Sequence, residues 1–514
     1  METRPFAYDA VAYPTRPQPQ IHPERLAALG LLHGLQPAPV GNSRILELGC
    51  GDALNLVAVA AAFPNARCVG LDLSASAIER GRALARACGL ERVELNQADV
   101  SQPGIVTGQF DYIVAHGLYA WVPEEARRGI LALCRDHLAP NGLALISYNA
   151  LPGACVRQEI RQMLRWHIRD LTDPEERLTE ARALVEFLSA STLDNDDVRV
   201  AFRHELATAQ AKDPGFFFHD DLADHYAPLY FHEFMAQAKA SRLQFVADAD
   251  PAELVLLNLP DRTRQIVAAL SSDRIEQQQY LDFVVGRRFR HTILCHANLP
   301  VAPELQIDRA RDCWFSSQGR VQQPEKVAER GAVAVFERPG GLRLETDFFP
   351  GKIALQFLAN HAPGRVAFSE IARHVGERCE ALGAGDLWTR ESPDSLTRFL
   401  IEACTPRVAT IHGATPNPCP GLSDHPLAFP LARVQAAGDA LVTNCYHQSV
   451  RLDDRWSREI IAHADGTRSS AQLIAELDAL AAGAAPAEAD LWRSVRGDFP
   501  TALDQLKRRG LLVR

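Results

Sequence analysis

The sequence predicts an α/β fold, a doubly wound sheet interrupted by a helical stretch and followed by smaller α+β modules. Three observations lead there: five short apolar runs between residues 43 and 148, helical patterns among them, and strand-like segments that return after a long helical region. Residues 43–48 (SRILEL) read as a buried strand, GCGDA as a glycine turn, LNLVAVAAAF as an apolar helix and 68–73 (CVGLDL) as a second strand. A strand, helix, strand unit of about 30 residues closes as a parallel pair with a right-handed crossover. The alternation continues with a helix over 76–88, strands over 93–96 and 110–115 (FDYIVA), a helix over 123–137 and a strand over 143–148 (LALISY).

Around this core (43–155), residues 1–42 read as an N-terminal lid and helical segment, with Leu26, Leu29, Leu32 and Leu35 at three-residue steps after Pro23. Residues 156–240 carry apolar positions at helical spacing, and LQFVADA and RRFRHTILCH within 241–300 read as late strands of the same sheet, which makes 156–240 an insertion. Residues 301–345 read as a linker and a hairpin (AVAVFERPGGLRLET), 346–412 as a winged-helix-like domain and 413–514 as a C-terminal α+β module.

Composition bounds the function classes. The 514 residues are 47% hydrophobic and 23% charged, as in a folded globular chain, with a net charge of −10 that disfavours broad attraction to nucleic acid. Residues 351–514 hold 18 Lys+Arg against 19 Asp+Glu, so the winged-helix-like part suits protein recognition better than DNA. Eleven cysteines without a CxxC pair encode neither a disulfide framework nor a zinc ribbon. No apolar run is long enough to span a membrane and no secretory signal opens the chain, so the expected location is cytoplasmic, with a homo-oligomer left open.

The glycine turn carries the chemistry. Glu47-Leu48-Gly49-Cys50-Gly51-Asp52-Ala53 joins a strand to a helix, where a nucleotide-like ligand can approach the backbone. Asp72 ends the second strand about 20 residues on, the place where a carboxylate accepts ribose hydroxyls. Asp99, after the third strand, can meet an adenine amino group. Glu47 and Asp52 would repel a pyrophosphate, whereas S-adenosylmethionine, with a positive sulfonium, suits an acidic turn.

ILELGCGDALN, VGLDLS, QADV and FDYIVAHGLYAWVP resemble the successive motifs of class I S-adenosylmethionine-dependent methyltransferases. YDAVAYP, IHPERLAALG, LYFHEF and YLDFVVGRRFRHTILCH resemble more narrowly the bacterial methyltransferases with a methyltransferase regulatory domain, a group that includes protein lysine methyltransferases acting on outer membrane proteins. FPLARVQAAGDALVTN and HADGTRSS extend the resemblance to the C-terminus. It implies a Rossmann-like methyltransferase sheet and S-adenosylmethionine held by Glu47, Leu48, Gly49, Cys50, Gly51, Asn55, Asp72, Leu73, Asp99, Val100 and His116. It also implies a protein lysine as acceptor, in a substrate such as an outer membrane protein before export. A small-molecule methyltransferase and a non-catalytic cofactor-binding regulator stay open as alternatives. Two positions depart from the pattern: Ala53 replaces a glycine common in the loop, and Ile21 stands where Thr is frequent.

No acid or base is required for methyl transfer to an amine, so positioning and desolvation are the expected contributions. His116, Tyr119 and Trp121 follow the fourth strand, where an acceptor would arrive, and Tyr8 and Tyr13 stand ready to cover or dock there. Asp221 and His225 in HDDLADHY have a ligand-like spacing, but a helix cap and a solvated acidic face are the commoner use, and no metal is expected. Phe216, Phe217 and Phe218 are expected in packing.

Overall fold

The computed structural model describes residues 7–191, 197–249, 260–338, 341–389, 392–405, 407–416 and 423–514. Seven strands form the main sheet: β1 (Arg44–Leu48), β2 (Arg67–Asp72), β3 (Val93–Gln97), β4 (Phe110–Ala115), β5 (Leu138–Asn149), β6 (Leu243–Asp248) and β7 (Phe289–His296), in the order β3-β2-β1-β4-β5-β7-β6. The first five pair in parallel. β7 runs antiparallel to both β5 and β6, so the sheet is mixed. Apolar content marks a strand for burial without recording its direction, and here β7 is inserted between β5 and β6 running against both. The strand order reverses between β1 and β4, the crevice where open α/β sheets bind ligands.

Both faces are covered. Ile45, Tyr112, Val114 and Leu143 pack on one side with the helix Pro23–Leu32, in a core continuous with the module beyond residue 300. Leu46, Leu48, Ile113 and Ile146 pack on the other with the helices Glu124–His137 and Phe231–Ala240. The insertion helices Cys155–His167, Pro174–Ser191, Asp197–Gln210 and Pro214–Leu222 form a separate core around Ile160, Leu164, Phe217 and Phe218.

Helix Leu54–Ala62 is apolar at every position but Asn55, as suits a helix buried on two sides. Leu56, Val59 and Ala60 face the sheet, while Leu54, Val57 and Ala58 join the core of the C-terminal module with Phe429, Leu431 and Trp456.

Beyond residue 300, β8 (Trp314–Ser317) is the central strand of a small sheet between β12 (Val366–Ala367) and β13 (Ala409–His412). A four-residue strand among polar neighbours leaves little periodicity, and the reading of 301–345 as linker and hairpin had no place for it. The hairpin forms as expected from β10 (Ala334–Glu337) and β11 (Arg343–Thr346), with β9 (Arg320–Val321) beside it. Pro339 and Gly340 of its turn lie outside the described residues. The C-terminal module holds β14 (Leu441–Thr443) and β15 (Ser449–Arg451) with the helices Pro430–Ala436, Arg455–His463, Ser470–Ala482, Pro486–Gly497 and Phe499–Arg508.

Candidate active site

The turn after β1 is built from left-handed backbone: φ is 69° at Gly49, 57° at Gly51 and 59° at Ala53. A Cβ at Gly49 would come within 3.2 Å of Leu118, so glycine is required there on two counts. Ala53 accepts the strained conformation at the N-cap of helix Leu54–Ala62, where glycine would sit without cost. Asp72 secures the turn: its Oδ2 accepts from Gly51 N at 2.8 Å and its Oδ1 from Ser74 N at 2.8 Å.

Three carboxyls crowd this turn. Burial raises Asp52 and Asp72 above the usual carboxylate range and pushes Glu47 up to about 8. Glu47 lies beneath the turn, 4% exposed, with Asn55 Nδ2 at 3.5 Å from its Oε1. Asp52 and Asp72 remain part-exposed. An acid cluster whose charge is disfavoured by burial fits a cationic ligand and opposes a pyrophosphate, so the donor set suits S-adenosylmethionine. Burial also raises the Cys50 thiol, which keeps it from acting as a nucleophile. Asp99 Oδ1 accepts from Ser101 N, Leu73 is exposed and Val100 is half-buried, all three at the ends of β2 and β3.

The N-terminal segment straps across the turn. Asp9 accepts from Ser74 Oγ (2.6 Å) and Ser76 Oγ (2.8 Å), Thr15 Oγ1 donates to Asp52 Oδ2 (2.7 Å), and Gln18 N donates to Asn55 Oδ1 (3.0 Å). Asp9, Thr15 and Gln18 escaped the sequence reading, because no motif marks an isolated polar residue in a segment with one short helical turn, and Gln18 acts through its backbone N–H. Tyr8 stacks on His219 with centroids 4.0 Å apart, and Tyr13 donates to Asp220 Oδ1, so the strap also grips the insertion.

The aromatics after β4 separate. Tyr119, expected beside the acceptor, is instead fully buried: its hydroxyl donates to Gln237 Oε1 at 2.6 Å and its ring packs on Phe234 and Tyr148. The short turn Tyr119–Trp121 sends the first ring inward and leaves the last half-buried. Trp121 meets Tyr226 at 4.7 Å, and the Arg161 guanidinium lies 5.0 Å from the Trp121 ring and 4.6 Å from that of Tyr226. His116 is half-buried, with Nδ1 3.0 Å from Ser147 Oγ and its ring stacked on His291. The Tyr226 hydroxyl and Asn149 Oδ1 are buried without a hydrogen-bond partner in the structure. Neither was singled out from sequence, where a single Asn at the end of a strand and a lone Tyr in a connecting segment carry no signal.

Asp221 is buried against Lys212 and Arg157, and its helix ends at Leu222, which leaves His225 exposed and off that face. Among the described residues no group of three or more His, Cys, Asp and Glu is arranged to hold a metal. Phe217 and Phe218 are core residues of the insertion, and Phe216 packs edge-on against Tyr13.

Three family descriptions match in order: a methyltransferase domain over residues 45–142, a methyltransferase regulatory domain over 213–296, and "PKMT, C-terminal winged helix domain" over 424–487. The Rickettsia prowazekii protein RP028 is 32% identical over 240 residues, which are 46% of this chain and 96% of that protein. The chain belongs to the class I methyltransferases with a regulatory domain. This methyltransferase is also 36% identical over 303 residues to RP789 of the same organism, and spans 54% of that relative's length. Its fold matches PKMT2 from Rickettsia typhi over 98% of this chain and 100% of that one, with a TM-score of 0.83 at 24% identity; the complex of PKMT2 with AdoHcy gives 0.82. The matched winged-helix segment falls within 413–514, the stretch expected as an α+β module. No helix among the described residues of the methyltransferase is long and apolar enough to cross a membrane.

Proposed function

We propose that this methyltransferase transfers methyl groups from S-adenosylmethionine to lysine ε-amines of a protein. The observation that carries the reading is the shared architecture: the likeness to PKMT2, a protein lysine methyltransferase by its abbreviation, runs through the C-terminal winged helix and is not confined to the cofactor-binding core. Asp72 and the turn Gly49–Gly51 would hold the cofactor, with His116, Leu73 and Asp99 at the neighbouring strand ends. The cofactor, once bound, supplies an electrophilic methyl group on a sulfonium.

What remains for the chain is to present a neutral amine. A lysine of reference pKa about 10.4 costs about 4 kcal/mol to deprotonate near pH 7.4, and a drier, aromatic recess lowers that cost. Trp121 and Tyr226, whose rings pack together with the Arg157 and Arg161 guanidiniums against them, would serve as such a wall. Burial raises the Tyr8 and Tyr226 phenols to about 12, so they stay protonated and act by contact and hydrogen bonding and not as bases. Aromatic faces also attract an ammonium that has been methylated. An outer membrane protein met in the cytoplasm before export is the substrate that the family resemblance suggests. Incubation with radiolabelled S-adenosylmethionine and a fractionated cell extract tests the reading. Label on a protein, mapped to lysine, is the expected result; label confined to small molecules overturns the protein acceptor, and binding without turnover on any fraction overturns catalysis.

A further inference from the structure

We infer that His447, in the C-terminal module, is a positioning residue for the cofactor turn and acts through Asn55. The inference rests on the assignment of S-adenosylmethionine to that turn. Asn55 is the only polar side chain of helix Leu54–Ala62, which is otherwise packed on both sides by apolar neighbours. Its Oδ1 accepts from Gln18 N and lies 3.0 Å from His447 Nε2; its Nδ2 points to Glu47, two residues before Gly49. One amide thus joins the strap, the strand that leads into the turn, the helix that leaves it and a domain almost 400 positions away in sequence.

The module invests structure in that contact. His447 closes the turn between β14 and β15, with its N–H on Asn444 O and Asn444 Oδ1 holding Tyr446 N and Gln448 N. Its φ of 61° is the left-handed region, a conformation that glycine adopts freely and histidine does not. The side chain is 2% exposed, edge-on to His22 at 5.0 Å, and its Nδ1 has no hydrogen-bond partner in the structure. Burial keeps the ring neutral, so with Nε2–H donated to Asn55 the other nitrogen carries no proton. A strained, half-satisfied histidine at a domain junction is explained by what it holds in place.

In the full-length protein, His447→Gly removes the donor and relieves the backbone. It is expected to weaken binding of S-adenosylmethionine and S-adenosylhomocysteine roughly three- to tenfold, raising KM with kcat within twofold and little change in Tm. His447→Gln, which restores an N–H at similar reach, recovers most of the affinity, and in an Asn55→Ala background His447→Gly has no further effect. If the glycine variant does not fold, His447→Asn, which tolerates the same φ but stops short of Asn55, is expected to show the same loss. Wild-type affinity in the folded glycine or asparagine variant, or undiminished loss in the Asn55→Ala background, overturns the inference. Absence of cofactor binding by the wild-type protein overturns the cofactor assignment itself and this role with it.

Discussion

Gly51 donates its backbone N–H to Asp72 Oδ2 at 2.8 Å, which ties the second glycine of the turn to the end of the neighbouring strand. The carboxylate that would meet the ribose therefore also shapes the loop beneath the cofactor. Asp72→Asn keeps the size but presents an amide N–H to one of two backbone donors. Charge-assisted hydrogen bonds are worth about 1.5–3 kcal/mol, so cofactor affinity measured by calorimetry should drop at least tenfold; an unchanged Kd would remove Asp72 from the site.

The Tyr226 hydroxyl, buried and unpartnered, gives an asymmetric expectation. Tyr226→Phe should leave stability within about 1 kcal/mol, because no protein hydrogen bond is lost. If the hydroxyl receives the acceptor amine, kcat/KM for the protein substrate falls about tenfold while the cofactor Kd holds. Equal loss for both ligands would mean that Tyr226 shapes the whole cleft.

Thr15 is the strap's bond to the turn itself. Thr15→Val deletes the donor to Asp52 with almost no change in volume. Cofactor release in a stopped-flow experiment should accelerate several-fold with the unfolding midpoint nearly constant. An unaltered release rate would show that the strap rests on the turn without restraining it.

Arg290, Asp282 and Asp248 are fully buried together, with Arg290 Nε 2.7 Å from Asp282 Oδ2 and the guanidinium 3.8 Å from the Phe231 ring. This cluster joins β6, β7 and the helix Arg274–Val285 where the chain re-enters the sheet. Breaking such a pair leaves a charge without its partner, and Asp282→Ala should cost about 3–5 kcal/mol in urea unfolding. A cost below 1 kcal/mol would show that Asp248 alone suffices.

Acid should loosen the junction of the N-terminal helix with the later modules. His412 Nδ1 donates to Glu24 Oε1 at 3.0 Å, and burial, aided by Arg365, lowers the imidazole to about 4 from its ordinary 6.5. Between those values the unfolded chain takes up a proton that the folded one refuses, so this stability is complete above pH 6.5 and is lost as pH falls toward 4. His447, lowered to about 3, acts in the same direction. The urea midpoint of the wild type should fall between pH 7 and 4.5, and His412→Asn should show a shallower slope. Parallel slopes would assign the acid sensitivity elsewhere.

Much of this was legible in the residues. The runs RILEL, CVGLD and FDYIVA, apolar and bounded by turns, are strands in the structure, and the glycine turn with Asp72 needed only spacing and charge. β5 starts at Leu138, earlier than its apolar run, because Pro140, Asn141 and Gly142 read as a turn and hide its first residues. Strand direction was illegible, since burial asks for apolar side chains whichever way the chain runs. Tyr119 and Trp121 look alike in sequence, and only the turn that carries them decides which ring enters the core. The role of Asn55 had a signal, a single amide in an apolar helix, but its partner lies in another domain and no local pattern points to it.

Leu54, Val57 and Ala58 turn an oily side of the core toward the C-terminal module, which covers it together with Ala85 and Cys88. A shortened chain that ends near residue 423 would lay that side bare and self-associate, however complete its sheet. The same seam limits recombination. A winged helix from another methyltransferase could be grafted here only together with a matching surface on the helix after the glycine turn, so the two halves are bound to change in step.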